Sequence, residues 1–260
     1  MEFKLGISDE KKWRITMNTI GLVTITHDPN GRYIDLFIKH IDLLTALYDE
    51  IYLAISNQSS IEWDGLMKRE TSLNYKKISK KGVAHARREA VKFGLSGNCD
   101  YFHYIDLDRL FTWCDRYPDE LKEIKNMIPA HPYIIMGRTE RAFLTHPVEW
   151  VETERITNKI CSIELNQEVD ITAGSCSFSK ECAKGITSNS KSDMTDAEWP
   201  MIVSRIMKQP IHYKETEGLE YQEATNSITR EISEGDKWLG RLKLAVIISE
   251  SAVTTGRGVL

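Results

Sequence analysis

The chain has 260 residues, 41% of them hydrophobic, and a formal net charge of −4. That is enough apolar material for a full-sized core and argues against wholesale disorder. The acidic balance gives no footprint for a nucleic-acid partner.

The basic clusters Lys76-Lys77, Lys80-Lys81 and Arg87-Arg88 are local and suit one small anion better than a polymer. The N-terminal stretch MEFKLGISDEKKWR is charged and lacks the apolar run of a signal peptide. The most apolar late segment, Leu242 to Ile248, is too short to span a bilayer. Five cysteines, odd in number and at no zinc spacing, read as reduced thiols. Together these point to a cytoplasmic globular protein with no transmembrane segment.

In chain order, Ile20 to Thr26 predicts a strand, and Asp28-Pro29-Asn30-Gly31 a turn. Ile34, Phe37, Ile38, Ile41, Leu44 and Tyr48 recur at helical steps, and Ile51 to Ser56 follows as a second strand. Strand, helix and strand in succession predict a βαβ unit with a parallel sheet. Further elements are a helix over Gly82 to Phe93, a strand over Tyr101 to Ile105, a helix over Pro118 to Met127 and a strand over Tyr133 to Gly137. The pattern weakens from Arg138 to Gln167, where mixed structure is expected. A strand interrupted by Gly174 is expected over Val169 to Phe178, and a helix over Thr195 to Met207. Gln209 to Lys214 reads as a last strand. A helix from Asp236 to Glu250 closes the chain, with Trp238, Leu242, Ala245 and Ile248 on one stripe. The expected fold is one α/β domain: a mostly parallel, Rossmann-related sheet flanked by helices, with an irregular second half.

The strand over residues 101–105 ends in Asp106-Leu107-Asp108. Two carboxylates at the exposed end of a buried strand suit a hard cation such as Mn²⁺ or Mg²⁺, and that cation suits phosphate oxygens. Asp is also a common turn residue, but open α/β sheets place their ligands at strand ends. The stretch Lys80-Lys81-Gly82 leads into a helix carrying His85, Arg87 and Arg88, where backbone N–H groups and the dipole favour an anion. Arg87 and Arg88 cannot face the same way, and Arg87 is preferred. Thr195-Asp196-Ala197-Glu198-Trp199 opens a helix, where acids complement the dipole but also offer a general base. Thr26-His27-Asp28 closes the first strand where a nucleotide could rest, and His212 is a candidate to complete a metal site, although a lone strand histidine is more often simply packed.

The order of these elements resembles the GT-A fold glycosyltransferases, in particular family 2-like and mannosylglycerate synthase-like enzymes. The resemblance runs through Gly21 to His27, Lys81-Gly82 with Arg87, the Asp-x-Asp of residues 106–108, Ala173-Gly174-Ser175, and Asp196-Ala197-Glu198-Trp199. It implies a UDP- or GDP-sugar donor and an acceptor hydroxyl. Asp106 and Asp108 would hold the metal, and Thr26, His27, Asn57, Lys81, Arg87 and Asp106 would meet the donor. Asp196 would be the base or a positioning residue, with Glu198 beside it. Residues 18–137 would form the donor half and 138–260 the acceptor half. The chain departs from the family in spacing its acids as Asp196-x-Glu198 and in showing no evident third metal ligand. A nucleotidyltransferase is disfavoured by the glycine-poor loop of residues 27–32, and a haloacid dehalogenase-type phosphatase by the depth of Asp106 in the chain. A non-catalytic nucleotide-sugar-binding protein on the same fold is the remaining alternative.

Overall fold

A computed structural model describes residues 18–226 and 232–257. In order, the elements are β1 (Ile20–Thr26), α1 (Ile34–Leu47), β2 (Glu50–Ser56), α2 (Glu62–Arg69), β3 (Asn74–Ile78), α3 (Val83–Gly94) and β4 (Tyr101–Asp106). Next are α4 (Leu107–Arg116), α5 (Pro118–Met127), β5 (Tyr133–Arg138), α6 (Glu140–Phe143), α7 (Val148–Leu165), β6 (Ser175–Ser179) and α8 (Lys180–Asn189). The chain continues through α9 (Glu198–Met201), β7 (His212–Thr216), α10 (Glu223–Asn226) and α11 (Glu234–Thr254).

The strands form one sheet in the order β3-β2-β1-β4-β6-β5-β7. β1 is parallel to both β2 and β4, while β6 runs antiparallel to both β4 and β5. The central strands are apolar on both sides because helices cover both faces. Leu22, Leu53 and Ile105 pack with Phe37, Trp63 and Trp113 on one face. Val23, Ala54 and Tyr104 pack with Phe178, Trp199 and Ile202 on the other. Chain order reverses between β1 and β4, which is where an open sheet leaves a crevice at its carboxyl edge.

The mostly parallel α/β architecture is as expected, but several elements differ. Asp106-Leu107-Asp108 leads from strand directly into a helix that the sequence pattern did not predict: Asp106 sits at the N-cap of α4 and Asp108 lies in its first turn. β3 exposes four of its five residues, so it carries no apolar alternation to read. The segment expected to be mixed contains the 18-residue helix α7, which buries Thr153, Glu154, Thr157 and Ser162 and so lacks a clean apolar stripe. The strand expected from Val169 begins only at Ser175, because Gly174 at φ +76° turns the chain just before it. The helix expected from Thr195 starts at Glu198 and passes into a π turn over Ile202–Ile206. On α11 the expected stripe is half right: Ala245 and Ile248 are buried, whereas Trp238 and Leu242 are 39% and 49% exposed.

Candidate active site

The carboxyl ends of β1 and β4, the turn before β6, the segment before α9, and the helices α7 and α11 enclose a cleft of about 640 Å³. Its floor is set by β1. Just beyond that strand the buried Asp28 carboxylate accepts the backbone N–H groups of Arg32 and Tyr33, both at 3.0 Å, and the Trp63 indole N–H at 3.1 Å. A carboxylate that accepts several N–H groups fixes the loop it belongs to. Thr26 lines the cleft, and its buried hydroxyl has no hydrogen-bond partner among the described residues. His27 also lines it, with Nε2 at 2.6 Å from Lys80 Nζ.

Arg87 lies at the centre. It projects from α3 into the interior and is 6% exposed. Nη2 donates to Asp106 Oδ2 at 2.7 Å and Nε reaches Oδ1 at 3.4 Å. On its other side Nη1 donates to Asp196 Oδ2 at 2.7 Å and to Thr195 Oγ1 at 3.2 Å. Burial works against the guanidinium charge, but Asp106 and Asp196 outweigh it and hold Arg87 firmly protonated. Tyr104 Oη donates to the same Asp106 Oδ1 that Arg87 Nε reaches. The phenol is buried, and together burial and Asp106 push its ionisation well up.

Asp108 faces the cleft from the first turn of α4. Asn226 Nδ2 donates to its Oδ2 at 3.0 Å and to its main-chain oxygen at 3.1 Å. Gly174 passes over Asp106 with no side chain; a Cβ there would stand 3.0 Å from Asp106 Oδ2. The opposite wall is cationic and aromatic. Trp150 of α7 lies 3.9 Å beneath the Arg241 guanidinium and 5.5 Å from that of Arg109. Arg241 is tied to Glu154, which also accepts from Arg138 at 2.7 Å.

The structure thus brings Thr26, His27, Arg87, Asp106, Asp108 and Asp196 to one cleft. Three expected site residues fall elsewhere. Glu198 is 1% exposed and turns away, accepting the N–H groups of Lys191 and Ser192 and the Ser190 hydroxyl. It secures the loop ahead of α9 and does not line the cleft. Lys81 is exposed and is not a lining residue; its neighbour Lys80 reaches His27 instead. Asn57 is also exposed and outside the cleft lining, and its Oδ1 accepts the Lys80 backbone N–H at 3.2 Å. The suggestion that His212 completes a metal site is likewise overturned. It stacks on His131 with ring centroids 3.9 Å apart, at the start of β7 and so at the other edge of the sheet.

Sequence reading missed Asn226, Arg109, Trp150 and Arg241. None belongs to a local motif, and Asn226 lies 118 residues from the Asp108 it meets. Among the described residues, no group of three or more His, Cys, Asp or Glu side chains is arranged to hold a metal ion.

No protein-family model and no curated protein matches the chain. Solved structures do. A glucosyl-3-phosphoglycerate synthase from Mycobacterium tuberculosis, in complex with Mn²⁺, uridine diphosphate and glucosyl-3-phosphoglycerate, superposes with a TM-score of 0.60 at 11% identity. The match covers 93% of this chain and 82% of that one. A mannosyl-3-phosphoglycerate synthase from Rubrobacter xylanophilus matches with a TM-score of 0.55 at 16% identity, over 93% of this chain and 77% of that one. This chain has the GT-A fold. On a GT-A frame the Arg87 cluster stands at the crevice between β1 and β4, where the sheet order reverses.

Proposed function

We propose that the chain is a metal-dependent glycosyltransferase that moves a sugar from a nucleoside-diphosphate donor, UDP- or GDP-linked, to an acceptor hydroxyl. The observation that carries this reading is the convergence of Asp106, Asp108, Arg87 and Asp196 in one cleft at the switch point of the sheet. The likeness to synthases solved with Mn²⁺ and uridine diphosphate supports it.

The residues present suit a Mn²⁺ or Mg²⁺ ion. Asp106 and Asp108 are oxygen donors with side chains 22% and 28% exposed, and Gly174 leaves the space above Asp106 clear. With two carboxylates and no third acid or histidine arranged beside them among the described residues, the other positions fall to water and diphosphate oxygens, as such ions prefer. When bound, the cation offsets charge that grows on the departing nucleoside diphosphate.

The chain's own residues divide the remaining work. Thr26 and His27, on the loop that Asp28 secures, border the nucleoside. Arg87 balances the carboxylates and brings positive charge to the diphosphate end. Asp196, fixed by Arg87, orients the acceptor hydroxyl or takes its proton. Arg109, Trp150 and Arg241 form the acceptor wall, a surface suited to a small acceptor bearing negative charge. Residues 18–137 then supply most of the donor side and 138–260 the acceptor side. All five cysteines are unpaired and buried, in keeping with work in the reducing cytoplasm. Among the described residues, no helix is long and apolar enough to cross a membrane.

The test is a thermal-shift panel of UDP- and GDP-sugars with Mn²⁺ or Mg²⁺. One donor should raise Tm only with metal and release nucleoside diphosphate slowly without acceptor, and Asp108→Ala should abolish both effects. If no nucleotide sugar shifts Tm in the presence of either metal, the transferase reading is wrong.

A further inference from the structure

Asp106, Asp108 and Asp196 line the cleft, and the guanidinium of Arg87 bridges two of them. Arg87 meets Asp106 at 2.7 Å and Asp196 at 2.7 Å, with 7% of its side chain exposed. It holds Asp106 through both oxygens, and Tyr104 donates to one of them as well. An ionised carboxylate accepts at about four lone-pair sites. Asp106 therefore gives most of its capacity to the protein, on the side chain that the proposed metal needs. Asp108 differs, since its Oδ2 accepts only the neutral Asn226 amide among the hydrogen bonds described and the Arg109 Nε stands back at 3.9 Å.

We propose that Arg87 is an exchangeable counter-ion. It neutralises Asp106 in the ligand-free protein and releases that carboxylate when metal and diphosphate arrive, while keeping its hold on Asp196 and Thr195. This rests on the reading above that Asp106 and Asp108 meet a divalent cation. The geometry supports it in three ways. Arg87 has a second, nearly buried carboxylate of its own, Asp196 with 5% of its side chain exposed, so leaving Asp106 does not strand the guanidinium. Asp106 is the more exposed partner, at 22%, and faces the cleft. Gly174 carries no side chain over this contact: a Cβ there would lie 3.0 Å from Asp106 Oδ2 and 3.7 Å from Arg87 Nη2. Without Arg87 the two acids it bridges, Asp106 and Asp196, would lose their shared cation, so the same residue that preserves the empty site competes for it. Metal should accordingly bind weakly alone and well with the nucleotide, whose phosphates repay the exchange.

The experiment is titration of the full chain with Mn²⁺, following the free ion by electron paramagnetic resonance, alone and with UDP or GDP. Where GDP is the nucleotide that tightens Mn²⁺ binding in wild type, it takes the place of UDP in each arm. The decisive variant is Arg87→Met combined with Asp196→Asn. It removes one positive and one negative charge, so the net charge of the cluster is unchanged and no buried acid is orphaned. Competition by Arg87 predicts that this variant binds Mn²⁺ without UDP about tenfold tighter or more, since a charged contact at this distance is worth at least 1.4 kcal/mol. The gain from UDP should shrink in the same variant. An unchanged or weaker Kd overturns the proposal and leaves Arg87 as a fixed structural bridge. Should the variant not fold, the wild type decides. The Arg87 Nε–H resonance in arginine-labelled protein, assigned by its loss in Arg87→Lys, should move when Mg²⁺ and UDP are added. A resonance that stays in place at saturation refutes the exchange. If wild type binds no Mn²⁺ with either UDP or GDP, it is the metal-dependent transferase reading that fails.

Discussion

Arg138 offers the sharpest energetic test, because its charge is almost wholly sealed from water. Its side chain is 1% exposed and stands between Asp170 and Glu154. Nε and Nη2 donate to the two Asp170 oxygens at 2.7 and 2.8 Å, and Nη2 also donates to Glu154 at 2.7 Å. Burial pushes the Asp170 carboxyl up, but Arg138 outweighs it and holds the group below the usual range. Arg138→Met keeps the apolar bulk and removes the cation. Glu154 retains Arg241 and the Thr172 hydroxyl. Asp170 is left with the Asn158 amide at 2.7 Å, the backbone N–H of residue 138 at 2.8 Å and the Thr172 hydroxyl at 3.4 Å, but with no charge partner among the described residues. Breaking one side of a buried pair costs about 3–5 kcal/mol, which lowers Tm by roughly 6–20 °C in a domain of this size. Calorimetry or urea unfolding measures it. The reasoning assigns the loss to an orphaned charge, so Arg138→Met/Asp170→Asn should recover at least about 1–2 kcal/mol relative to the single variant. If the double variant is no more stable than Arg138→Met alone, the charge is not what the site pays for, and the account is refuted.

Three further outcomes follow from the same structure. Burial, chiefly, pushes His103 down to about 3; burial together with Arg138 and Arg109 pushes His146 down to about 2. In the unfolded chain both take up a proton near pH 6.5 while the folded protein keeps them neutral. Their contribution is complete above that pH and is lost as pH falls, by up to about 1.4 kcal/mol per unit for each histidine. Urea midpoints at pH 6.5 and 5.0 should differ by about 3–4 kcal/mol of stability, and equal midpoints would show that the imidazoles are charged in the fold. Asp28→Ala removes three accepted bonds and strands the fully buried Trp63 indole, at a cost of about 2–4 kcal/mol by denaturant unfolding; a loss under about 0.5 kcal/mol would mean the loop holds itself. Gly174→Ala forces a side chain onto a positive φ beside Asp106 and should cost about 1–2 kcal/mol, whereas Gly65→Ala, on the open face of α2, should be neutral or stabilising; equal effects on the urea midpoint would contradict this.

Much of the frame was legible in the residues. β1, β2, β4 and β5 are short apolar runs, and α1 carries a regular apolar stripe, so parallel strands with covering helices followed directly. The elements that escaped are those whose burial is polar or one-sided. α7 buries Thr153, Glu154, Thr157 and Ser162, with Glu154 on Arg138 and the Thr153 and Thr157 hydroxyls turned back to carbonyls of the helix, and its polar interior imitates a surface. β3 is an exposed edge strand whose order comes from pairing with β2. In the site, Asp106, Asp108, Arg87 and Asp196 announced themselves because charged groups stood at the ends of apolar elements. Glu198 did so equally, and there the local signal misled, since its carboxylate closes the loop of residues 190–192.

What the sequence determined by itself was the sheet, its parallel sense near β1 and the presence of two acids at the end of β4, since periodicity and strand-end chemistry are local. It could not determine how those acids are used. Arg87 reaches Asp106 across 19 residues and Asp196 across 109, and Asn226 reaches Asp108 across 118. Such pairings exist only once packing has sealed a guanidinium between the end of β4 and the segment before α9, where low dielectric makes every charge answer to its neighbours. The acid pair was written in the chain; its counter-ion was chosen by the fold.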